Sequence, residues 1–317
     1  MGQESVGHAH GCLDRNHSTA RNPQLRKKRT GFRQGLRAAY GQPYAHVAGT
    51  RSHLAVIDIG ANLLHSQFDG DRDEVIERAH TAGVRRILLT ATDLSTSVAA
   101  IEFCSNRNDI RCTTGVHPHA AKDVEAGWTS TLSKLATSPL VKAVGEMGLD
   151  YNRNFSSPEQ QRAVFHSQLD IAEQVGKPVF VHDREAADDV LDALTSHNGL
   201  VGVVVHCFTG GKKELDDYLS AGFHIGITGW VCDQRRGQPL RDIVTRVPLS
   251  RLLIETDAPY LLPHNAPANE VATRNKRRNE PALLKYVVAQ LAQLYGTDEL
   301  AIVTATSRNA TELFDWE

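Results

Sequence analysis

LLIETDAPYLLP, residues 252–263, runs three aliphatic side chains straight into two carboxylates, Glu255 and Asp257, and is stopped by Pro259. A continuous apolar run reads as a parallel strand covered on both faces, and acidic groups at its C-terminal end lie where α/β folds keep their chemistry. The same pattern occurs at four earlier runs. TTGVHPH reaches His117, VKAVGEMGLD passes through Glu146, PVFVHDRE reaches His182 and VVVHCFTG reaches His206. Five strand ends that each offer an imidazole or a carboxylate imply one shared mouth, and with it metal-assisted hydrolysis.

From His53 onward, strand-like runs at 55–60, 85–91, 110–117, 141–150, 178–184, 202–209, 223–229 and 252–256 alternate with segments of i, i+3, i+4 apolar spacing. Those segments are Arg72 to Ala82, Leu94 to Asn106, Pro158 to Val175, Ala186 to Ser196 and Lys213 to Ala221, with Pro281 to Leu294 and Leu300 to Leu313 closing the chain. Ser157 before Pro158 marks a helix start, and Gly83, Gly176 and Gly222 follow helix ends. Eight βα units in about 250 residues predict an α/β fold of the (β/α)8 TIM barrel type. A doubly wound open sheet would have two edges to hide and would spread the polar strand ends along a crevice. The barrel gathers them into a ring.

At 317 residues, 41% hydrophobic and 23% charged, the chain has the composition of a globular protein with room for a large core. It contains no run of roughly 18 apolar residues and no apolar segment near Met1, so a cytoplasmic protein without membrane association is expected. The five cysteines show no CxxC spacing and read as reduced thiols, with Cys207 turned away from its neighbour His206 by strand alternation. The net charge of −2 is uneven: residues 1–53 hold nine Lys or Arg against Glu4 and Asp14, a net +7 that leaves −9 on the rest. An acidic body argues against coating duplex DNA, because that requires a broad cationic face. The expected organisation is a disordered basic N-terminal extension, 1–53, followed by the barrel domain, 54–317. The extension reads as a solvated tail, an arm for nucleic acid or a product of an upstream start codon.

A divalent ion used for hydrolysis needs carboxylate oxygen and neutral imidazole nitrogen, with positions left for water and substrate. Glu146, His182, His206 and Asp257 supply that set. Singly, each has a plainer reading as a loop cap, a turn residue or an ion-pair partner of Arg153 or Arg184. Together they favour a metal site, because facing buried carboxylates and imidazoles are costly unless they share a cation or a proton.

The motifs GVHPH (115–119), GEMGLDYNRNF (145–155), PVFVHDRE (178–185), HCFTG (206–210), IGITGWVCDQRRG (225–237), ETDAPYLLP (255–263) and RRNEP (277–281) resemble the TatD family of metal-dependent deoxyribonucleases, from about Val56 to Phe314. The resemblance implies a TIM-barrel hydrolase acting as a Mg²⁺-dependent 3′ to 5′ exonuclease with a preference for single-stranded DNA; a monomer that engages 3′ ends is expected. It carries metal binding onto Glu146, His182, His206 and Asp257, and a pocket role onto His117. Asp257 is then the expected base, Glu146 the ligand bridging two ions, and His117 a group that orients phosphate or protonates the leaving oxygen. Arg277 and Arg278 are expected phosphate clamps, and Tyr151, Phe208 and Trp230 expected stacking surfaces for a terminal base. Many superfamily members carry His-x-His at the first strand end; here Gly60 and Asn62 stand there, so one or two weakly held, exchangeable Mg²⁺ ions are expected, with Mn²⁺ as a substitute. Two other readings remain. A small-molecule amidohydrolase or deacylase would use the same metal logic, against which Arg235, Arg236, Arg277 and Arg278 favour phosphate. A nucleic-acid binding protein with a vestigial centre fits the basic tail but not the retained ligand types.

Overall fold

The computed structural model describes residues 56–271 and 278–316; the expected basic tail and Arg277 lie outside them. Strands β1 (Val56–Ala61), β2 (Val84–Leu89), β3 (Ile110–Thr114), β4 (Val141–Asp150), β5 (Val179–Arg184), β6 (Val203–Val205), β7 (His224–Ile227) and β8 (Leu252–Ile254) pair in chain order, each parallel to the next. The ring closes just past β8. Ala61 bridges Ala258, the Asn62 N–H donates to the Ala258 carbonyl at 2.7 Å, and the Asp257 N–H donates to the Gly60 carbonyl at 2.8 Å. The fold is the expected (β/α)8 barrel.

Helices α1 (Arg72–Thr81), α2 (Leu94–Cys104), α3 (Trp128–Ala136), α4 (Pro158–Val175), α5 (Ala187–Ser196), α6 (Lys212–Ala221), α7 (Gln238–Arg241), α8 (Leu284–Tyr295) and α9 (Glu299–Phe314) surround the strands. Their ends follow local chemistry. Asp93 and Ser157 form capping boxes with Thr96 and Gln160, and Pro158 takes the first turn of α4, where its missing N–H costs nothing. Sequence reasoning did not find α3. Its Thr129, Ser130 and Thr131 compete for backbone hydrogen bonds and mask the helical pattern, while buried Leu132 and Ala136 hold it to the barrel. No described helix is long and apolar enough to cross a membrane.

Strand alternation separates two apolar layers. Val144, Met147, Val181, Val205 and Ile254 face the helices, whereas Ile57, Ile59, Leu88, Ala143, Phe180, Val204 and Leu253 fill the barrel axis. The inner layer continues into Ala310, Leu313 and Phe314 of α9 and into Trp316, which seal the end where the strands begin. Three side chains hold that seal: Arg86 bonds the Trp316 carbonyl, Lys142 bonds the Asp315 carbonyl at 2.7 Å, and Asn309 Nδ2 bonds the Leu249 and Leu252 carbonyls at 2.7 and 2.8 Å. Truncating an inner side chain such as Phe180 would cost about 3–5 kcal/mol. The opposite end is left for chemistry.

Candidate active site

Inward positions along the strands carry the reactive groups. Following Phe180 two residues on, His182 faces the axis at the end of β5; His206 repeats the relation to Val204, and Glu255 and Asp257 to Leu253. Simple alternation would turn Glu146 outward, since Ala143 is inside. An irregularity in the β4–β5 register between Val144 and Met147 inserts the extra residue that turns Glu146 in and Met147 out. Glycine is required at that shift: a Cβ on Gly145, whose φ is +148°, would lie 2.3 Å from the Phe180 carbonyl oxygen.

Three imidazoles converge on one oxygen. Glu146 Oε1 lies 2.7 Å from His206 Nε2, 3.0 Å from His182 Nδ1 and 3.3 Å from His117 Nε2. These rings hold the Glu146 carboxyl well below the ordinary range against the opposing effect of burial. Ligand atoms of His117, Glu146 and His182 lie within 4.8 Å of one another, close enough to share a cation. Asp257 lines the same cleft, its Oδ1 accepting from Asn62 Nδ2 at 3.0 Å, and burial pushes its carboxyl up to about 7. Its φ of 53° is a left-handed conformation that Asp tolerates better than most residues.

A carboxylate stands behind the far nitrogen of two of the rings. His206 Nδ1 faces Glu255 Oε2 at 3.4 Å, and His182 Nε2 faces Asp150 Oδ2 at 3.5 Å without hydrogen-bond alignment. A carboxylate behind each ring leaves the nitrogen near Glu146 with a lone pair for a cation, or with a second proton when none is present. Residues and donor chemistry therefore fit a divalent metal. His117 differs: its Nδ1 accepts the His119 N–H at 3.1 Å, so the neutral ring carries its proton on Nε2 and presents a donor. Burial pushes this ring down to about 4.

Glu255 is fully buried and also accepts the Cys207 N–H at 2.5 Å. Glycines make room for it. A Cβ on Gly60 would stand 2.3 Å from Glu255 Oε2, and one on Gly226 2.5 Å from Oε1. Asp58, buried beneath the seam, accepts from the Thr256 N–H at 2.9 Å and from Thr256 Oγ1 at 2.5 Å, and so fixes the residue between Glu255 and Asp257. Sequence reasoning gave Asp58 and Asp150 no role and set Glu255 at the mouth without assigning it a partner, although GEMGLD and ETD display the last two.

A family model described as TatD related DNase matches residues 57–315. The chain belongs to the TatD related DNase family. A relative named 3'-5' ssDNA/RNA exonuclease TatD from Erwinia amylovora is 46% identical over 261 residues, covering 82% of this chain and 99% of the relative. One of the same name from Edwardsiella piscicida is 45% identical over the same shares. The crystal structure of YJJV, a TatD homologue from Escherichia coli k12, matches with a TM-score of 0.74 at 27% identity, over 83% of this chain and 99% of that one.

Within this TatD barrel, the cleft above Glu146 encloses about 710 Å³ and is lined by all five residues expected there: His117, Glu146, His182, His206 and Asp257. The other expected residues, where described, lie elsewhere. Arg278 is only 4% exposed and bonds Asp71 at 2.7 and 2.6 Å, Glu280 at 2.6 Å and the Gln67 carbonyl at 2.7 Å, so it ties loops together away from the cleft. Tyr151 and Trp230 line an adjoining cleft that shares Asp183, Arg184 and Thr209 with the main one, the Tyr151 hydroxyl donating to Asp189 at 2.6 Å. Phe208 is buried in the core. Arg236 binds Asp233 at 2.8 Å and covers the Trp230 ring at 4.5 Å, and among the described residues Arg153 and Arg184 are the arginines that line the cleft. Cys207 lines the cleft, because the chain leaves β6 at Val205 and takes a φ of 45° at Cys207, ending the alternation.

Proposed function

We propose that the protein is a metal-dependent 3′ to 5′ exonuclease that hydrolyses single-stranded DNA, with RNA as a second polymer of the same chemistry, the activity printed in its relatives' name. The observation that carries this reading is the convergence of three imidazole nitrogens on Glu146 Oε1 at the open end of the barrel. Glu146, His182, His206 and Asp257 would hold one or two divalent ions; two carboxylates suit Mg²⁺, and two imidazoles admit Mn²⁺. A cation so held supplies positive charge to the scissile phosphate and lowers the pKa of the attacking water.

The chain's own groups do the rest. Asp257, which lines the cleft beside the proposed cation site, is placed to accept the water's proton. His117 is neutral at that pH and offers its Nε2–H to a phosphate oxygen or to the leaving 3′ oxygen as a hydrogen-bond donor. Asp150 and Glu255 keep His182 and His206 turned to the site. Tyr151 and Trp230 would meet the strand farther from its end, in the adjoining cleft. Arg277 remains a proposed phosphate contact on sequence grounds, while Arg153 and Arg184 line the cleft itself.

The test is incubation with single-stranded DNA labelled at its 3′ end, with Mg²⁺, with Mn²⁺ and with chelator. Release of the label as a mononucleotide, stopped by chelator and restored by added metal, is expected. Label retained in full-length strands under all conditions would overturn the proposal.

A further inference from the structure

Among the described residues, five large apolar side chains are exposed: Val98, Phe155, Val201, Tyr260 and Leu300. The two aromatic ones, Phe155 at 53% and Tyr260 at 50%, both line the main cleft. Phe155 follows β4 and Tyr260 follows β8, and in a ring of eight strands paired in order these two stand across the mouth from each other. Each ring is braced edge-to-face by a histidine. Phe155 lies 4.7 Å from the His119 ring, whose Nε2 bonds Asp150 at 2.7 Å, and Tyr260 lies 5.6 Å from the His65 ring. Each has a further anchor close by: the side chain of Ser156, next to Phe155, bonds the His119 carbonyl through Oγ at 3.1 Å, and the Tyr260 N–H bonds the Asp257 carbonyl at 2.9 Å. Arg153 and Arg184 line the cleft on the Phe155 side, and neither guanidinium has a carboxylate at ion-pair distance among the described residues.

We infer that Phe155 and Tyr260 are two stacking walls for nucleobases at the strand terminus, with Arg153 and Arg184 meeting the backbone phosphates between them. The inference rests on the exonuclease reading and adds the residues that select the substrate. An aromatic face accepts any base, so the site is indifferent to sequence. A base must leave its partner and its neighbour to lie on either wall, so the site takes an unpaired end. Unpaired arginines in a cleft of an otherwise acidic body supply local phosphate attraction without a broad cationic surface.

The test uses the full chain with Mg²⁺ and a single-stranded oligonucleotide that carries 2-aminopurine at its 3′ terminus and phosphorothioate linkages to block turnover. Binding should quench the 2-aminopurine fluorescence. Phe155→Ala and Tyr260→Ala should each weaken binding about fivefold or more, the loss of one base–aromatic stack. Phe155→Trp and Tyr260→Phe should stay within about twofold of the parent, since they keep the face. An oligonucleotide with abasic terminal sites should bind the parent as weakly as the alanine variants bind the normal strand. If the parent degrades and binds single strands while both alanine variants match it, the stacking walls are refuted and the exonuclease reading stands. If the parent neither binds nor degrades single strands with Mg²⁺ or Mn²⁺, the exonuclease reading falls and takes the inference with it.

Discussion

Replacing Arg278 with methionine separates a structural arginine from a phosphate clamp. The guanidinium makes four hydrogen bonds, to Asp71 Oδ1 and Oδ2, Glu280 Oε1 and the Gln67 carbonyl, and it lies 4.8 Å from the centre of the Phe68 ring. Methionine keeps the stem and removes the charge. Asp71 and Glu280 would then depend on Arg78, which already reaches Asp71 at 3.1 Å and Glu280 at 2.8 and 2.9 Å from a more exposed position. Removing one partner of a buried ion pair costs about 3–5 kcal/mol, and the bonds retained by Arg78 put this case near the lower end, about 3 kcal/mol. For a domain of this size that is roughly 6–12 °C in Tm. The pH dependence has a definite sign. Arg278 holds Asp71 down at about 2, below its ordinary 3.8, so the pair's stabilisation is complete above that ordinary value and lost as pH falls toward 2. Arg278→Met should shrink that loss to the part Arg78 still supports. Urea unfolding across pH, run beside oligonucleotide binding, measures both properties. Unchanged stability with a tenfold or greater loss of DNA affinity would refute the structural assignment and return Arg278 to the substrate.

Asp257→Asn should lower kcat roughly 10²-fold or more with little change in the unfolding midpoint, and Glu146→Gln should do the same; a nuclease rate near the parent's in either variant would remove the proposed site. Glu255→Gln keeps the shape but removes the charge behind His206, so the Mg²⁺ concentration for half-maximal activity should rise about 10- to 100-fold, read from a metal titration. His224, at the start of β7 and far from the cleft, is held down to about 3 by burial and by Arg251, against 6.5 ordinarily. The unfolded chain therefore binds this proton first, and stability is lost as pH falls from about 6.5 toward 3. His224→Asn should flatten that limb in urea unfolding measured at successive pH values.

Much of this architecture was legible because local signals agree with the tertiary demand. β4 and α4 have the boundaries expected from apolar spacing and caps, Val141–Asp150 and Pro158–Val175. The last residues of the expected strands at 110–117, 202–209, 223–229 and 252–256 lie beyond the ladders, where the chain turns its polar groups into the mouth after pairing has stopped. Their position at strand ends identified His182, His206 and Glu146 alike, but the inward turn of Glu146 depends on a register shift against β5 that no periodicity displays. Arg278 was misread for a similar reason. Proximity to the last strand suggested the mouth, whereas its partners Gln67 and Asp71 lie more than two hundred residues earlier in the chain. Asp150 and Glu255 were visible as residues, but their action through the far nitrogens of His182 and His206 exists only in space.

The glycine cradle around Glu255 makes the missing histidine pair a matter of genetic order. With a Cβ at position 60 meeting Glu255 Oε2 at 2.3 Å, Gly60→His collides with the carboxylate before it can offer a ligand, and Glu255→Gly alone strips the support from His206 and the Cys207 N–H. Each single step toward a two-histidine centre is therefore harmful, and the joint change removes the 2.3 Å collision while Phe180 Cζ stays 3.2 Å from a Cβ at position 60. Positions 60 and 255 are locked as a pair, with fitness depending on the combination and not on either residue alone.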